Sequence, residues 1–399
     1  MKNPDRIDRI RSSLRENHWD LVVCALPMNV LLLSGYWPVI GTGVAVACAD
    51  GHISLLVPED EEDLAKRGWA DEVKTFKAGS LDELTTPAKS IRSPLRKLAE
   101  SFSTGPARVG FEAHETSEPA SYAAMHLYSG TMRTLLEEAF AIVKITPADA
   151  ALARLRARKT TFEIDRIRTA CRIAERAFVH GFEQIKSGAS EVEIAATFRQ
   201  PLSTSLADFP ALSRADGFTW CMSGANAALA SGAYARSRAK RIEQGDLVLV
   251  HLNSYVDGYW TDITRTYSIG KPDERCQEMY DAVFSGRQAA LRAIHAGVKA
   301  AAVDAAARDV LEARGFGPQF KHSTGHGVGF SAIRADAEPR LHPKSEEALE
   351  IGMVFNVEPA IYIDGYGGLR HCDMVAVTEA GAELLTPFQC GIDDLVAYR

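Results

Sequence analysis

Three strand-like runs in the C-terminal half of the chain carry ionisable side chains among apolar, β-branched and aromatic neighbours. Asp262 lies in GYWTDITRTY (Gly258–Tyr267), Glu358 in GMVFNVEPAIY (Gly352–Tyr362), and Arg370, His371, Cys372 and Asp373 stand in a row in GYGGLRHCDMVAVT (Gly365–Thr378). A charge in such surroundings is costly unless hydrogen bonds, an opposite charge or a cation compensate it. The fold must therefore bring these separate strands together so that their polar groups meet.

Each group taken alone has two readings. Asp262 either pairs with Arg265, three residues further on, or binds a metal. HSTGHGVGF (His322–Phe330) sets two imidazoles four residues apart among glycines that allow close backbone approach, which suits a polar ligand or a turn with solvated histidines. Asp373 is a partner for Arg370 or a strand-entry hydrogen-bond acceptor. As a set, Asp262, Glu358, His326 and a group from the last strand form a carboxylate and imidazole cluster suited to Mn, Fe, Co or Zn.

A chain of 399 residues points to two or more domains. In the N-terminal third, strand-like runs at Leu21–Leu26, Gly43–Ala49, Ile53–Val57 and Arg108–Glu112 alternate with helical patterns, so an α/β domain over residues 1–150 is expected. Leu81–Pro94, polar with two prolines, reads as a loop, and Leu95–Phe102 as helical. A solvated hinge is expected near Ile145–Thr160, where Arg154, Arg156, Arg158 and Lys159 cluster, with a second domain over 158–399. Apolar positions at Ile164, Ile167, Cys171, Ala174 and Phe178 predict a long helix from Thr161, and Ser190 with Glu193 predicts a second, capped one. Leu247–Leu252 and Gly258–Tyr267 should pair as a hairpin.

The formal net charge of −7 includes no basic block, which argues against nucleic acid or an anionic membrane as partner. The apolar runs are strand-length, and the first residues lack a continuous apolar stretch. Seven cysteines, odd in number and without a CxxC pair, fit reduced thiols and a cytoplasmic location.

From about Thr160 to Phe388 the ordered set KTTFEIDRIRTAC, SGANAAL, GYWTDITRT, GHGVGF, MVFNVEPAIY and GLRHCDMVAVT resembles the family of methionine aminopeptidase, prolidase, aminopeptidase P and creatinase. The resemblance implies a pita-bread catalytic domain behind a creatinase-like N-terminal α/β domain, α/β (α+β) in class. It also implies a homodimer and hydrolysis of a C–N bond, as in an Xaa-Pro dipeptidase or aminopeptidase. Peptidase members hold two divalent metals with two Asp, one His and two Glu. By position, Asp262, His326 and Glu358 match three of these ligands. His251 stands at the first Asp, eleven residues before Asp262, and Cys372 at the last Glu, two after Arg370. Histidines common in the family fall at Ser231 and at or near Ala335.

Two close cations need bridging carboxylates to offset their repulsion. The expectation is therefore one divalent ion (Zn, Mn or Co) on Asp262, His326 and Glu358, with Cys372 as a possible fourth ligand. His322 or His251 would move protons, and Arg370 or Arg265 would hold the carboxylate of a small-molecule or dipeptide substrate. Trp37, Tyr36 and Phe218 are candidates to shape the pocket. One alternative is a metal-free, creatinase-like amidinohydrolase, in which Glu358 and His326 bind or protonate substrate. Another is a catalytically inactive binding homologue.

Overall fold

The computed structural model describes residues 3–39, 41–79, 85–102, 108–114, 129–140, 144–232, 237–334 and 337–398. The chain divides into two compact units, Met1–Arg156 and Ala157–Arg399.

The first unit runs α1 (Pro4–Glu16), β1 (Leu21–Cys24), α2 (Pro27–Ser34), β2 (Val44–Cys48), β3 (Ile53–Pro58), α3 (Glu62–Ala65), β4 (Glu72–Phe76), α4 (Pro87–Glu100), β5 (Arg108–Phe111), α5 (Ser129–Ala139), β6 (Lys144–Pro147) and α6 (Asp149–Ala157). Its sheet has the order β4-β3-β2-β1-β5-β6. Pairs β1/β2 and β2/β3 are antiparallel, and the other pairs parallel. Val23, Val46, Leu56, Val109 and Phe111 on the strands meet Ile91, Leu95, Leu98 and Leu136 on α4 and α5 in one core. Tyr36 and Trp37 are buried within this unit.

One sequence expectation is corrected here. The stretch 85–94 is not a loop: α4 begins at Pro87, where Thr86 accepts a hydrogen bond from Lys89 N at 3.3 Å, and runs through Pro94. Proline in the first turn gives up only an N–H that has no helical partner, so Pro87 marks a helix start rather than a break. Residues 81–84 lie outside the described set. The stretch 145–160, which contains the division between the units, is structured, since β6 and α6 occupy most of it. Lys159 is buried, and its Nζ donates to Ala157 O and Val354 O.

The second unit opens with α7 (Thr161–Phe182) and α8 (Glu191–Thr204), each started by a reciprocal capping box, Thr160 with Glu163 and Ser190 with Glu193. Then follow β7 (Ala215–Ser223), β8 (Leu247–Val256), β9 (Tyr259–Trp260), β10 (Ile263–Ile269), α9 (Glu274–Ala293), α10 (Ala300–Ala313), β11 (Val354–Val357), β12 (Ala360–Ile363), β13 (Gly367–Arg370), β14 (Asp373–Thr378), β15 (Gly381–Leu384) and β16 (Val396–Ala397). The strands form sheets β16-β10-β8-β7, β11-β14-β15 and β12-β13. The expected hairpin is present, with Thr264 opposite His251. A bridge between Thr264 and Cys372 ties β10 to the β13–β14 junction.

The partner of Arg265 is Asp373, not Asp262. Successive strand residues point to opposite faces, so residues three apart cannot share one. Asp262, Thr264 and Thr266 face one way, while Arg265 turns the other way and donates to Asp373 Oδ1 at 2.8 Å. Arg265 also donates to Cys372 O at 2.8 Å and Phe388 O at 3.0 Å. Arg287 and Thr386 complete the cover of Asp373, and both Arg265 and Asp373 have fully buried side chains. Burial alone would raise the Asp373 carboxyl, but Arg265, His371 and Arg287 hold it well below the usual range.

Replacing Asp373 with Asn leaves two buried guanidinium groups without their anion and should lower stability by about 3–5 kcal/mol, read from denaturant midpoints. A carboxyl with a depressed pKa stabilises the fold above its unfolded pKa, so the wild-type advantage should be present at neutral pH and shrink only on strong acidification. A variant as stable as wild type would show that the cluster contributes nothing.

Candidate active site

Asp262 closes the turn into β10 and is 2% exposed. Its Oδ2 lies 3.4 Å from His326 Nε2, and its Oδ1 lies 3.5 Å from His251 Nδ1. His326 comes from an irregular loop whose glycines are dictated by space: a Cβ on Gly325 would sit 2.0 Å from Asn356 O, and one on Gly327 2.0 Å from Glu338 O. Asn356 fixes the loop by accepting from His326 N at 2.7 Å and donating its own N–H to His326 O at 3.1 Å.

The His326 Nδ1 donates to Gly327 O at 3.1 Å, which turns Nε2 toward Asp262. A carboxylate oxygen and an imidazole lone pair cannot face each other at this distance without a positive charge between them. In the free protein a proton fills that role. Burial opposes the charge on His326, but the hydrogen bond and charge of Asp262, aided by Glu358, hold its pKa up at about 9.

Glu358 follows β11, and its N–H donates to Thr324 O at 2.8 Å. Its Oε2 lies 3.8 Å from Arg370 Nη1. Burial, with Asp262 adding to it, pushes the Glu358 carboxyl up to about 7 against the pull of Arg370 and His326. Arg370, at the end of β13, is 5% exposed and points inward with all three nitrogens engaged. Nε donates to Thr264 Oγ1 at 3.1 Å, Nη2 to His251 Nδ1 at 3.1 Å, and Nη1 to Tyr362 Oη at 3.5 Å.

His251 is thus an acceptor for Arg370, with Thr264 Oγ1 3.0 Å from the same nitrogen. Burial, reinforced by Arg370 and opposed by Asp262, lowers its pKa to about 4, so it is neutral at pH 7. His322 is also neutral, lowered to about 4 by burial and Arg370. Its Nδ1 donates to Ser323 O at 2.7 Å, and its Nε2 accepts from Tyr362 Oη at 2.9 Å. Cys372 is fully buried, and its thiol donates to Asp262 O at 3.2 Å. Burial, then Asp262 and Glu358, push that thiol far above its ordinary range.

The fold therefore brings Asp262, His326, Glu358, Arg370, His251, His322 and Cys372 into one linked cluster. Among the described residues, no group of three or more His, Cys, Asp and Glu side chains is already arranged to hold a metal ion. Arg265 belongs to the Asp373 cluster on the other strand face and does not reach this one. Phe218 is half-buried and stacks between Trp220 and Trp260, and Trp220 stacks on His251. Position 335 lies outside the described residues.

Sequence reasoning missed Thr264, Asn356 and Tyr362. Thr264 follows Asp262 by two residues, Asn356 precedes Glu358 by two, and Tyr362 follows it by four, so the period of a strand was the signal that could have found them.

Residues 165–379 match metallopeptidase family M24, and residues 6–158 match the creatinase/prolidase N-terminal domain. An Xaa-Pro dipeptidase of Pyrococcus furiosus is 32% identical over 382 residues, spanning 96% of this chain and 97% of the relative. Among solved structures, the prolidase of Pyrococcus horikoshii OT3 superposes with a TM-score of 0.77 at 29% identity, covering 96% of this chain and 98% of its own. An Xaa-Pro dipeptidase of Bacillus anthracis gives 0.79 at 26% identity, covering 98% of this chain and 99% of its own.

Changing Tyr362 to Phe removes the hydroxyl that donates to His322 and leaves a buried acceptor unmet. The expected loss is about 1–3 kcal/mol in denaturant unfolding. An unchanged midpoint would show that the Tyr362–His322 bond is not formed in solution.

Proposed function

Because the chain belongs to metallopeptidase family M24, which implies a divalent metal cofactor, we propose that it is an Xaa-Pro dipeptidase-type hydrolase working with a single ion. The observation that carries this reading is the Asp262–His326 pair, an oxygen and a nitrogen donor aimed at each other at 3.4 Å. A cation in place of the His326 proton would satisfy both. Glu358, turned from Arg370, is the third ligand in this reading.

The two altered positions do not offer a second site of the same kind. His251 Nδ1 is already occupied by Arg370 and Thr264, and Cys372 is held as a thiol on a backbone carbonyl. Contact with a metal would lower the thiol pKa, so Cys372 remains a fourth ligand only if its Sγ leaves Asp262 O.

When bound, a divalent ion lowers the pKa of a water and polarises a carbonyl. The protein's own groups do the rest. As a ligand Glu358 would be held ionised by the cation, below the value of about 7 that it has in the metal-free protein, and the proton transfers then fall to His322. His322 is neutral, with Nδ1 given to Ser323 O and Nε2 to Tyr362 Oη, so in this reading it moves a proton through the Tyr362 hydroxyl, while His251 Nδ1 is tied to Arg370 and Thr264. Arg370 steadies Glu358 and His251, and its inward bonds make it a counter-charge rather than a clamp for a substrate carboxylate. Pairing of two copies belongs to the same reading and is measurable by light scattering.

A metal-free, creatinase-like amidinohydrolase is the second reading. Its support is the set of a charged His326, a near-neutral Glu358 and a neutral His322, which could exchange protons with substrate unaided.

Elemental analysis of protein purified without added metal should find about one equivalent of divalent ion in wild type and almost none in Asp262→Ala. Hydrolysis of Xaa-Pro dipeptides should fall with chelator and return with metal. Turnover of a guanidino substrate, indifferent to chelator, would transfer support to the second reading.

A further inference from the structure

The segment from Phe320 to His326 supplies two imidazoles to the site, yet it is neither helix nor strand. Its backbone groups must find partners elsewhere. Leu341 takes the Thr324 N–H at 2.9 Å and donates to Gly325 O at 2.8 Å, Asn356 holds His326 on both sides, and two side chains on α10 provide further partners.

Asp304, 1% exposed, accepts from Thr324 N and Thr324 Oγ1, both at 2.8 Å. Arg308, one turn along, pairs with the same carboxylate through Nε at 2.9 Å and Nη2 at 3.1 Å. Its remaining capacity goes to the loop, to His322 O at 3.0 Å and Phe320 O at 3.3 Å. The guanidinium also lies over the Phe320 ring, 4.4 Å from its centroid, and that ring meets the His322 imidazole edge-on at 5.4 Å. Thr324 is fully buried, and its carbonyl receives the Glu358 N–H. An acid–base pair at this spacing on a helix ordinarily contributes only a few tenths of a kcal/mol at the surface. Here the acid is buried and the pair fastens the segment between His322 and His326, with a continuation to Glu358.

We propose that Asp304 and Arg308 are positioning residues that set His322 against Tyr362 and His326 against Asp262. Neither is a metal ligand in the proposed reading, and neither touches Asp262, Glu358 or Arg370 through any bond described above. The proposal rests on the dipeptidase reading for its kinetic consequences, but the loop geometry is independent of it.

The test compares Arg308→Ala, Arg308→Lys and Asp304→Asn with wild type as full-length protein. With an Xaa-Pro dipeptide, Arg308→Ala should lose roughly ten- to a hundred-fold in kcat with KM changed far less. Its affinity for added Co²⁺, titrated on metal-stripped protein, should weaken by about tenfold or more because His326 is misplaced. Arg308→Lys should recover part of both losses, and denaturant midpoints must show every variant folded under assay conditions. In the metal-free protein, histidine-selective ¹⁵N spectra should show a slowly exchanging His322 Nδ1–H in wild type that is lost in Arg308→Ala. Wild-type kcat, Co²⁺ affinity and His322 spectrum in Arg308→Ala would overturn the proposal, as would losses that track only the unfolded fraction. If wild type neither cleaves the dipeptide nor binds Co²⁺, the dipeptidase reading fails, and the His322 spectrum alone then decides the positioning role.

Discussion

The second unit depends on one buried ion cluster, Arg265 and Arg287 closed around Asp373. Removing two guanidinium groups and a carboxylate from water is costly, and the cost is offset only if nearly every donor and acceptor is matched. Arg265 matches its donors against Asp373 and the carbonyls of Thr264, Cys372, Thr386 and Phe388. These partners lie on β10, at the start of β14 and in the segment after β15. Any slip of one strand past another would strand several of them at once, so the cluster fixes register as well as charge. The consequence appears on the opposite face of β10, where Asp262 and Thr264 are brought against Cys372 and Arg370.

On that face the groups titrate one another. Arg370 lies between Glu358 and His251; burial, reinforced by its charge, keeps His251 and His322 neutral, while the same charge draws the Glu358 carboxyl down toward pH 7 from where burial alone would take it. Of the three, only His326, beside Asp262 and farther along the cluster, carries the second ring proton and its charge at neutral pH. Three chemically identical side chains thus hold two charge states, because His326 faces Asp262 while His251 and His322 feel Arg370. Such divergence among nearby titratable groups is what acid–base chemistry near pH 7 requires.

Most of the architecture was legible in the sequence because its signals are local. The helices from Thr161 and Ser190 follow from apolar spacing and capping boxes, and the β8–β10 hairpin from two strand-like runs and a Gly-containing turn. The apolar setting of Asp262 and Glu358 announced that they would be buried. What escaped was pairing across the fold. Arg265 stood near Asp262 in sequence, but strand alternation sends it to Asp373. The helix at Pro87 escaped because a proline and polar residues resemble a turn until Thr86 is recognised as a cap. Asp304 and Arg308 gave no signal at all, since an i, i+4 pair on a helix looks like solvated surface until tertiary packing buries one member against a distant loop.

Charge arithmetic limits what the proposed site can hold. With His251, His322 and Cys372 neutral, Asp262 and Glu358 as carboxylates face a single guanidinium, leaving one unit of negative charge. Protonation of His326 restores neutrality in the free protein when Glu358 is ionised. One divalent ion in place of that proton brings the cluster to one positive charge, which an anionic reactant can offset. A second divalent ion would bring it to three, in a setting where the position that resembles the last, bridging Glu is a protonated thiol and the position that resembles the first Asp is a histidine committed to Arg370. Repulsion between two such ions in a poorly screened interior is several times what it is in water. On this arithmetic the single ion of the proposed reading is the electrostatically consistent occupant, with Arg370 as the fixed cation beside it.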